Sequence, residues 1–226
     1  MSRAPSSSHV ARYHPGNAPS SADGRLQSHV FDRNAPPIIA ALTPWLAARC
    51  GPVLEIGSGT GQHAGACSLA FPDLDWWPSD PDPVHRASIA AWQAHLRLPP
   101  REPIELDGAG PWAEAPQVAG LGPLSAVISM NVIHIAPFAV ARGIIAGAGV
   151  VLATGGLLIF YGPFMVAGAH VGPGNAAFDA GLRADNPDWG LRDTAEIETL
   201  AGAAGLTFAG LQAMPANNRL LVFRKP

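Results

Sequence analysis

Three glycines stand at positions 57, 59 and 61 in the run Leu54-Glu-Ile-Gly-Ser-Gly-Thr-Gly-Gln-His63, directly after a short apolar stretch. Residues without a Cβ let a chain bend sharply and bring its backbone close to a ligand. A helix starting behind such a bend offers unpaired N–H groups in its first turn. A bare bend lined by N–H groups can hold a phosphate or the carboxylate end of an amino acid.

Spacing separates these two. A dinucleotide fingerprint needs GxGxxG. Here the pattern is GxGxG, and Gln62 stands where the third glycine would be. Glu55, just ahead of Gly57, sits poorly beside a pyrophosphate and well near an ammonium. The bend, with Ser58 and His63 in it, therefore fits the amino-acid end of S-adenosyl-L-methionine better than a dinucleotide. Two further acids fit the nucleoside. Asp80, at the end of a second strand, can accept from both ribose hydroxyls, although dinucleotide folds place an acid similarly. Asp107, at the end of a third, can accept from an adenine amino group, with Gly108 as a backbone donor, although Asp-Gly is also an ordinary turn pair. Trp112, soon after, is placed to cover the adenine, and Arg33 with Asn34 to close over the ligand.

Methyl transfer needs an aligned nucleophile and, for a hydroxyl or ammonium, a base. In an open parallel sheet ligands lie at the carboxyl ends of the strands. The tails of strands four and five read Asn131-Val-Ile-His134 and Tyr161-Gly-Pro-Phe164. His134 is the candidate base, since an unperturbed imidazole titrates near neutrality. A lone histidine near a helix start is also often a satisfied structural side chain. Asn131 can orient the acceptor or the methionine end of the cofactor, and Tyr161 can bond the acceptor. Arg192 can meet an acidic substrate or merely be solvated. Neither a GxSxG elbow, a P-loop nor HExxH occurs, and the histidines lack metal-ligand spacing.

Alternating elements must position these residues. Arg25 to Asn34 reads as a short helix. Asn34 reads as the N-cap of the next, which runs toward Arg49 with a kink or restart at Thr43-Pro44. Strands follow at 52–56, 75–79, 103–106, 124–130 and 156–161, with helices at 62–70, 82–97 and 137–153 between them. A helix over 175–186 and another capped by Asp193 with Glu196 precede two strands, 206–214 and 220–224. The first five strands alternate with helices and read as parallel; the last two are joined too tightly for a crossover and must pair antiparallel. The fold class is α/β: a seven-stranded, mostly parallel, Rossmann-like sheet with helices on both faces and a terminal antiparallel hairpin.

With these residues in place the chain resembles the class I methyltransferase-like family catalogued as domain of unknown function 938, which includes the methyltransferase-like 26 protein of animals. The similarity runs from about Phe31 to Arg224. It is carried by Asp32-Arg-Asn34, the 54–63 run, Trp77-Pro-Ser-Asp80, Ser129-Met-Asn-Val-Ile-His-Ile135, Tyr161-Gly-Pro-Phe164, Trp189-Gly-Leu-Arg-Asp193 and Met214-Pro-Ala-Asn-Asn218. The resemblance implies the seven-stranded methyltransferase fold and S-adenosylmethionine held by the 54–63 turn and Asp80. It implies no substrate. The first turn commonly reads Ala where this chain has Gly57.

Bulk properties narrow the rest. The 226 residues fit one core, with residues 1–24, rich in Ser, Pro and Ala, as a flexible leader and 25–226 as the domain. A net charge of -3 shows no basic surplus for nucleic acid. The uncharged stretch from Gly143 to Ala169 is broken at Thr154-Gly155-Gly156 and Gly162-Pro163, so no membrane span is expected. Cys50 and Cys67 read as free thiols of a cytoplasmic protein. The expected partner is a small-molecule acceptor, with the oligomeric state open. The expected function is an S-adenosylmethionine-dependent methyltransferase. The competing readings are a non-catalytic protein that binds the same nucleoside and, less favoured by the glycine spacing and hairpin, a nicotinamide oxidoreductase.

Overall fold

The computed structural model describes residues 20–226. Eight strands form one mixed sheet: β1 (Gly51–Ile56), β2 (Leu74–Ser79), β3 (Leu124–Met130), β4 (Leu152–Val166), β5 (Ala169–His170), β6 (Arg192–Asp193), β7 (Thr207–Ala213) and β8 (Asn218–Arg224). The main path runs β2-β1-β3-β4-β8-β7, with β5 and β6 attached to the tail of β4. Strands β2, β1, β3 and β4 are mutually parallel, and β8 runs antiparallel to both β4 and β7. The expected parallel sheet with a terminal hairpin is present.

Side chains alternate across the central strands, as the pleat requires. Val53, Ala126, Ile128, Leu157, Ile159, Leu220 and Val222 pack toward α1 (Phe31–Leu46) and α2 (Gln62–Ala70). Leu54, Ile56, Val127, Leu158, Phe160, Leu221 and Phe223 pack toward α5 (Phe138–Val151) and α7 (Thr194–Ala203). The remaining helices are α3 (Pro83–Leu96), which contacts α2, the short α4 (Pro116–Ala119), and α6 (Pro173–Asp185).

Three local expectations are corrected. First, residues 25–30 are not helical, and Asn34 lies inside α1 with its N–H on the Val30 carbonyl. Side chains from α2 and α3 take the backbone groups that a helix would use. Ser88 Oγ accepts from the Leu26 N–H at 2.8 Å, Trp92 Nε1 donates to the Leu26 carbonyl at 2.9 Å, and Gln62 Oε1 accepts from the Ser28 N–H. Of the expected leader, residues 20–24 form a turn bonded to Arg25, and 1–19 lie outside the described residues.

Second, α1 does not restart at Thr43-Pro44 but continues through it. Prolines 36, 37 and 44 leave the carbonyls four residues back without a helical donor. Those carbonyls belong to Asp32, Arg33 and Ala40, all exposed, where water can replace the donor.

Third, the strand expected at 103–106 shrinks to a single parallel bridge, Ser79 to Ile104. The Ile104 N–H donates to the Pro78 carbonyl and the Asp80 N–H to the Ile104 carbonyl. The ladder stops on both sides for chemical reasons. Pro78 has no N–H to give the preceding rung, and the Asp80 carbonyl is occupied by Arg86 Nη1 at 3.0 Å.

Candidate functional site

The glycine turn leaves the end of β1 with all three glycines in the left-handed region: φ is 75° at Gly57, 55° at Gly59 and 87° at Gly61. Their surroundings differ. A Cβ on Gly57 would lie 2.5 Å from Val132 Cγ2, and one on Gly61 would lie 2.7 Å from the Ile89 Cα. Among the described residues, a Cβ on Gly59 would meet nothing within 4 Å. Gly57 and Gly61 are thus packed against the protein, while Gly59 faces open space. Ser79 anchors the bend: its carbonyl accepts from the N–H groups of Gly57 and Ser58, and its hydroxyl donates to the Glu55 carbonyl.

Asp80 is 4 % exposed and already engaged. Its Oδ2 accepts from the Gly59 N–H at 2.9 Å; its Oδ1 accepts from the Asp82 N–H at 2.9 Å and lies 3.1 Å from His85 Nδ1. The carboxylate is less open than expected: one bond ties it to the glycine turn and two groups hold it at the start of α3. His85 was not anticipated. Its signal was positional: Asp82 caps α3, so His85 is the third helical residue, from which a side chain reaches back toward the cap.

Glu55 faces the α1–α2 layer, not the rim of the turn. It is 1 % exposed and its Oε2 accepts from Trp76 Nε1 at 2.6 Å. Burial pushes its carboxyl up to about 7, opposed by the indole bond and aided by the negative charge of Asp80. His63, in the first turn of α2, packs edge-on against Phe31. Burial brings its pKa down to about 4. Ser58 is buried, and its hydroxyl accepts from the Ser79 N–H.

Asp107 is exposed and accepts from the Ala109 N–H, the bond of an ordinary turn. It borders a groove of about 360 Å³ together with Glu105, Gly110 and Trp112, and no glycine of the 57–61 turn lines that groove. Trp112 is only 4 % exposed and belongs to the core on the α5 side. Its Nε1 donates to the Gly143 carbonyl, and a Cβ on Gly147 would collide with the ring at 2.3 Å. The expected role as an adenine cover is therefore corrected: the ring face is spent on packing.

The tails of β3 and β4 come together as expected. The Asn131 N–H donates to the Tyr161 carbonyl at 2.7 Å, and Asn131 itself holds a left-handed φ of 59°. A Cβ on Gly162 would lie 3.4 Å from the His134 ring and 3.5 Å from Asn131 Oδ1. Val132, against Gly57, links this cluster to the glycine turn. Tyr161 is 3 % exposed and its hydroxyl accepts from Asn218 Nδ2 at 3.0 Å. Its pKa is raised by burial, against the Asn218 bond and the nearby charge of Arg33. Arg33 is exposed, with Nε bonded to Asn34 Oδ1. Asn218, in the 214–218 segment, is a polar group of this cluster that residue chemistry alone did not single out.

His134 is 5 % exposed and meets the edge of Phe178 from α6. Burial, reinforced by the charge of Arg192, brings its pKa to about 3. A base matched to neutral pH was expected; the ring is instead held neutral and weakly basic. Arg192 is likewise corrected. It is 8 % exposed, with Nε on the Ile133 carbonyl and Nη2 on the carbonyls of Ala136 and Asp188. These bonds fasten the loop after β3, so the guanidinium expected to be solvated or free for a substrate is instead largely engaged by the protein's own carbonyls through Nε and Nη2. Among the described residues there is no cluster fit to hold a metal ion, and no helix is long and apolar enough to cross a membrane.

Comparison with solved structures places this architecture among methyltransferases. An O-methyltransferase family protein from Burkholderia thailandensis superposes with a TM-score of 0.72 at 19% identity, over 84% of this chain and 56% of that one. Human N-acetylserotonin methyltransferase in complex with S-adenosylmethionine gives 0.66 at 16% identity, over 87% and 52%. An O-methyltransferase from neocarzinostatin biosynthesis, in complex with S-adenosylmethionine and 2-hydroxy-5-methyl naphthoic acid, gives 0.68 at 19% identity, over 88% and 55%. The chain thus spans a little over half the length of these proteins, and at such identities the likeness is one of fold. A family profile described as a protein of unknown function, DUF938, matches residues 25–225. The glycine turn, the Asp80 anchor and the terminal hairpin all fall within that match, and the chain belongs to the DUF938 family, with a class I methyltransferase-like fold.

Proposed function

We propose that the protein binds S-adenosylmethionine at the 57–61 turn and transfers its methyl group to a small-molecule acceptor at the tails of β3 and β4. The observation that carries this reading is Gly59: a left-handed residue whose N–H is held by the Asp80 carboxylate while, among the described residues, nothing fills the space its side chain would take. A backbone fixed that way lets a ligand approach without a side chain between. The cofactor supplies an activated methyl on a sulfonium. The chain's own groups then have to align the nucleophile, which in well-oriented reactions contributes about 7–11 kcal/mol. Asn131, the Tyr161 hydroxyl and Asn218 are the polar groups for that task.

Calorimetry tests the cofactor. S-adenosylmethionine and S-adenosylhomocysteine should both bind, and Asp80→Ala should weaken both by about tenfold or more. NADH binding more tightly than either would overturn the reading.

One observation favours a second reading, a nucleoside-binding protein without catalysis: the imidazole nearest the acceptor side is held neutral and weakly basic. Incubation with S-adenosylmethionine carrying a labelled methyl group and a small-molecule extract separates the two. Label appearing in new small molecules supports transfer, and binding without any transferred label supports the second reading.

A further inference from the structure

Resting on the cofactor reading above, we propose that His85 is a positioning residue for the nucleoside: it holds Asp80 Oδ1 so that Oδ2 is left to accept a ribose hydroxyl, and affinity falls when the ring gains a second proton. The geometry carries the first part. Two protein donors converge on Oδ1, from Asp82 N–H and His85 Nδ1, while Oδ2 receives one, from Gly59 N–H. A carboxylate oxygen accepts two bonds, so among the described residues Oδ1 is saturated and Oδ2 keeps one place. That place belongs to the oxygen already touching the open glycine. The carboxylate thus grips through one oxygen and is steered through the other.

The pH dependence follows from linkage. A ribose hydroxyl donating to Asp80 draws charge from the carboxylate and shields the ring from water, so a bound nucleoside disfavours the imidazolium. By reciprocity the imidazolium disfavours the nucleoside. Among the described residues the charged groups facing the pair are few. Asp80 and Asp82 raise the His85 pKa against the effect of burial. Arg86, next in α3, bonds the Asp80 carbonyl and the Glu105 carboxylate. Glu55, across β1, feels the charge of Asp80. All of these persist when only His85 is replaced.

The experiment is calorimetric titration of S-adenosylhomocysteine into the full chain between pH 6 and pH 8.5, for the wild type, His85→Asn and His85→Ala. Asparagine keeps a donor near the Nδ1 position but cannot titrate. The wild-type affinity should weaken by about fivefold from pH 8 to pH 6. His85→Asn should stay within about twofold of wild type at pH 8 and lose the wild-type slope, while His85→Ala should be weaker throughout and equally flat. A purely structural role would shift melting temperature without changing the slope. A flat wild type, or a His85→Asn variant that keeps the wild-type slope, overturns the inference alone. A wild type that binds no S-adenosylhomocysteine at any pH overturns the cofactor reading, and this inference with it.

Discussion

Gly59 and Gly61 share a residue type and a turn, yet the structure asks different things of them. Adding a methyl group at Gly61 forces a contact with the Ile89 backbone at a left-handed φ, and neither side can yield. Gly61→Ala should cost about 3 kcal/mol or more. Gly59→Ala carries only the left-handed penalty, about 1–2 kcal/mol, and should instead cost about tenfold or more in S-adenosylhomocysteine affinity, because its methyl group enters the open space. Thermal melts and calorimetry on the two variants check the pair; Gly59→Ala binding at wild-type strength would show that the ligand lies elsewhere. At this scale the glycine bend and the place of Asp80 one strand over were legible because their constraint is local, while the bonds that already engage that carboxylate were not. The fates of Trp112, Arg192 and His134 were not legible. Each depends on residues far along the chain, such as Gly143 and Gly147 for the indole and Ile133 and Ala136 for the guanidinium.

At the level of elements, Arg192 acts as a bolt. It sits in β6, beside the tail of β4, and joins the loop after β3 to the loop after α6 through three carbonyls. Arg192→Met keeps the stem and removes the donors. With each orphaned carbonyl costing about 1–3 kcal/mol where water cannot replace the bond, the variant should lose about 3 kcal/mol in all. Its melting temperature should fall by roughly 10 °C. A melting curve matching wild type would restore the exposed, substrate-facing arginine that the sequence alone allowed. The helices and strands themselves were mostly legible. The expected bounds of α2 and β3 were met, and Asp82 and Asp193 cap their helices by accepting from Val84 and Ala195 N–H groups. The misread segments were those where side chains from elsewhere overrule local preference. Ser88, Trp92 and Gln62 keep residues 25–30 from closing a helical turn.

Across the whole molecule, buried titratable groups set how stability responds to pH. His63 and His134 are held neutral, with pKa values near 4 and 3 against an ordinary 6.5. Below pH 6.5 the unfolded chain binds two protons that the folded chain refuses, which favours unfolding as pH falls. Glu55, pushed up to about 7, acts oppositely: its stabilising contribution is full below its ordinary 4.5 and lost as pH rises through 7. Between 4.5 and 6.5 two histidines outweigh one carboxyl, so stability should decline on acidification, as urea melts would read; a steady gain from pH 6.5 to pH 5 would contradict this balance. Glu55→Gln keeps an acceptor for the Trp76 indole and removes the alkaline loss. It should be more stable than wild type by roughly 2–3 kcal/mol at pH 8 and nearly equal to it at pH 4.

One border of the sheet has a consequence for the protein in crowded solution. Outside β2 lies the 99–106 segment, with prolines at 99, 100 and 103, and behind it Pro78 within β2 itself. A foreign strand adding to that side would meet ring carbons where it needs hydrogen and a resident guanidinium where it needs oxygen. Strand addition has no foothold there, and the arginine that ends the ladder is fastened to the carbonyl of the same Asp80 on which the nucleoside is proposed to rest.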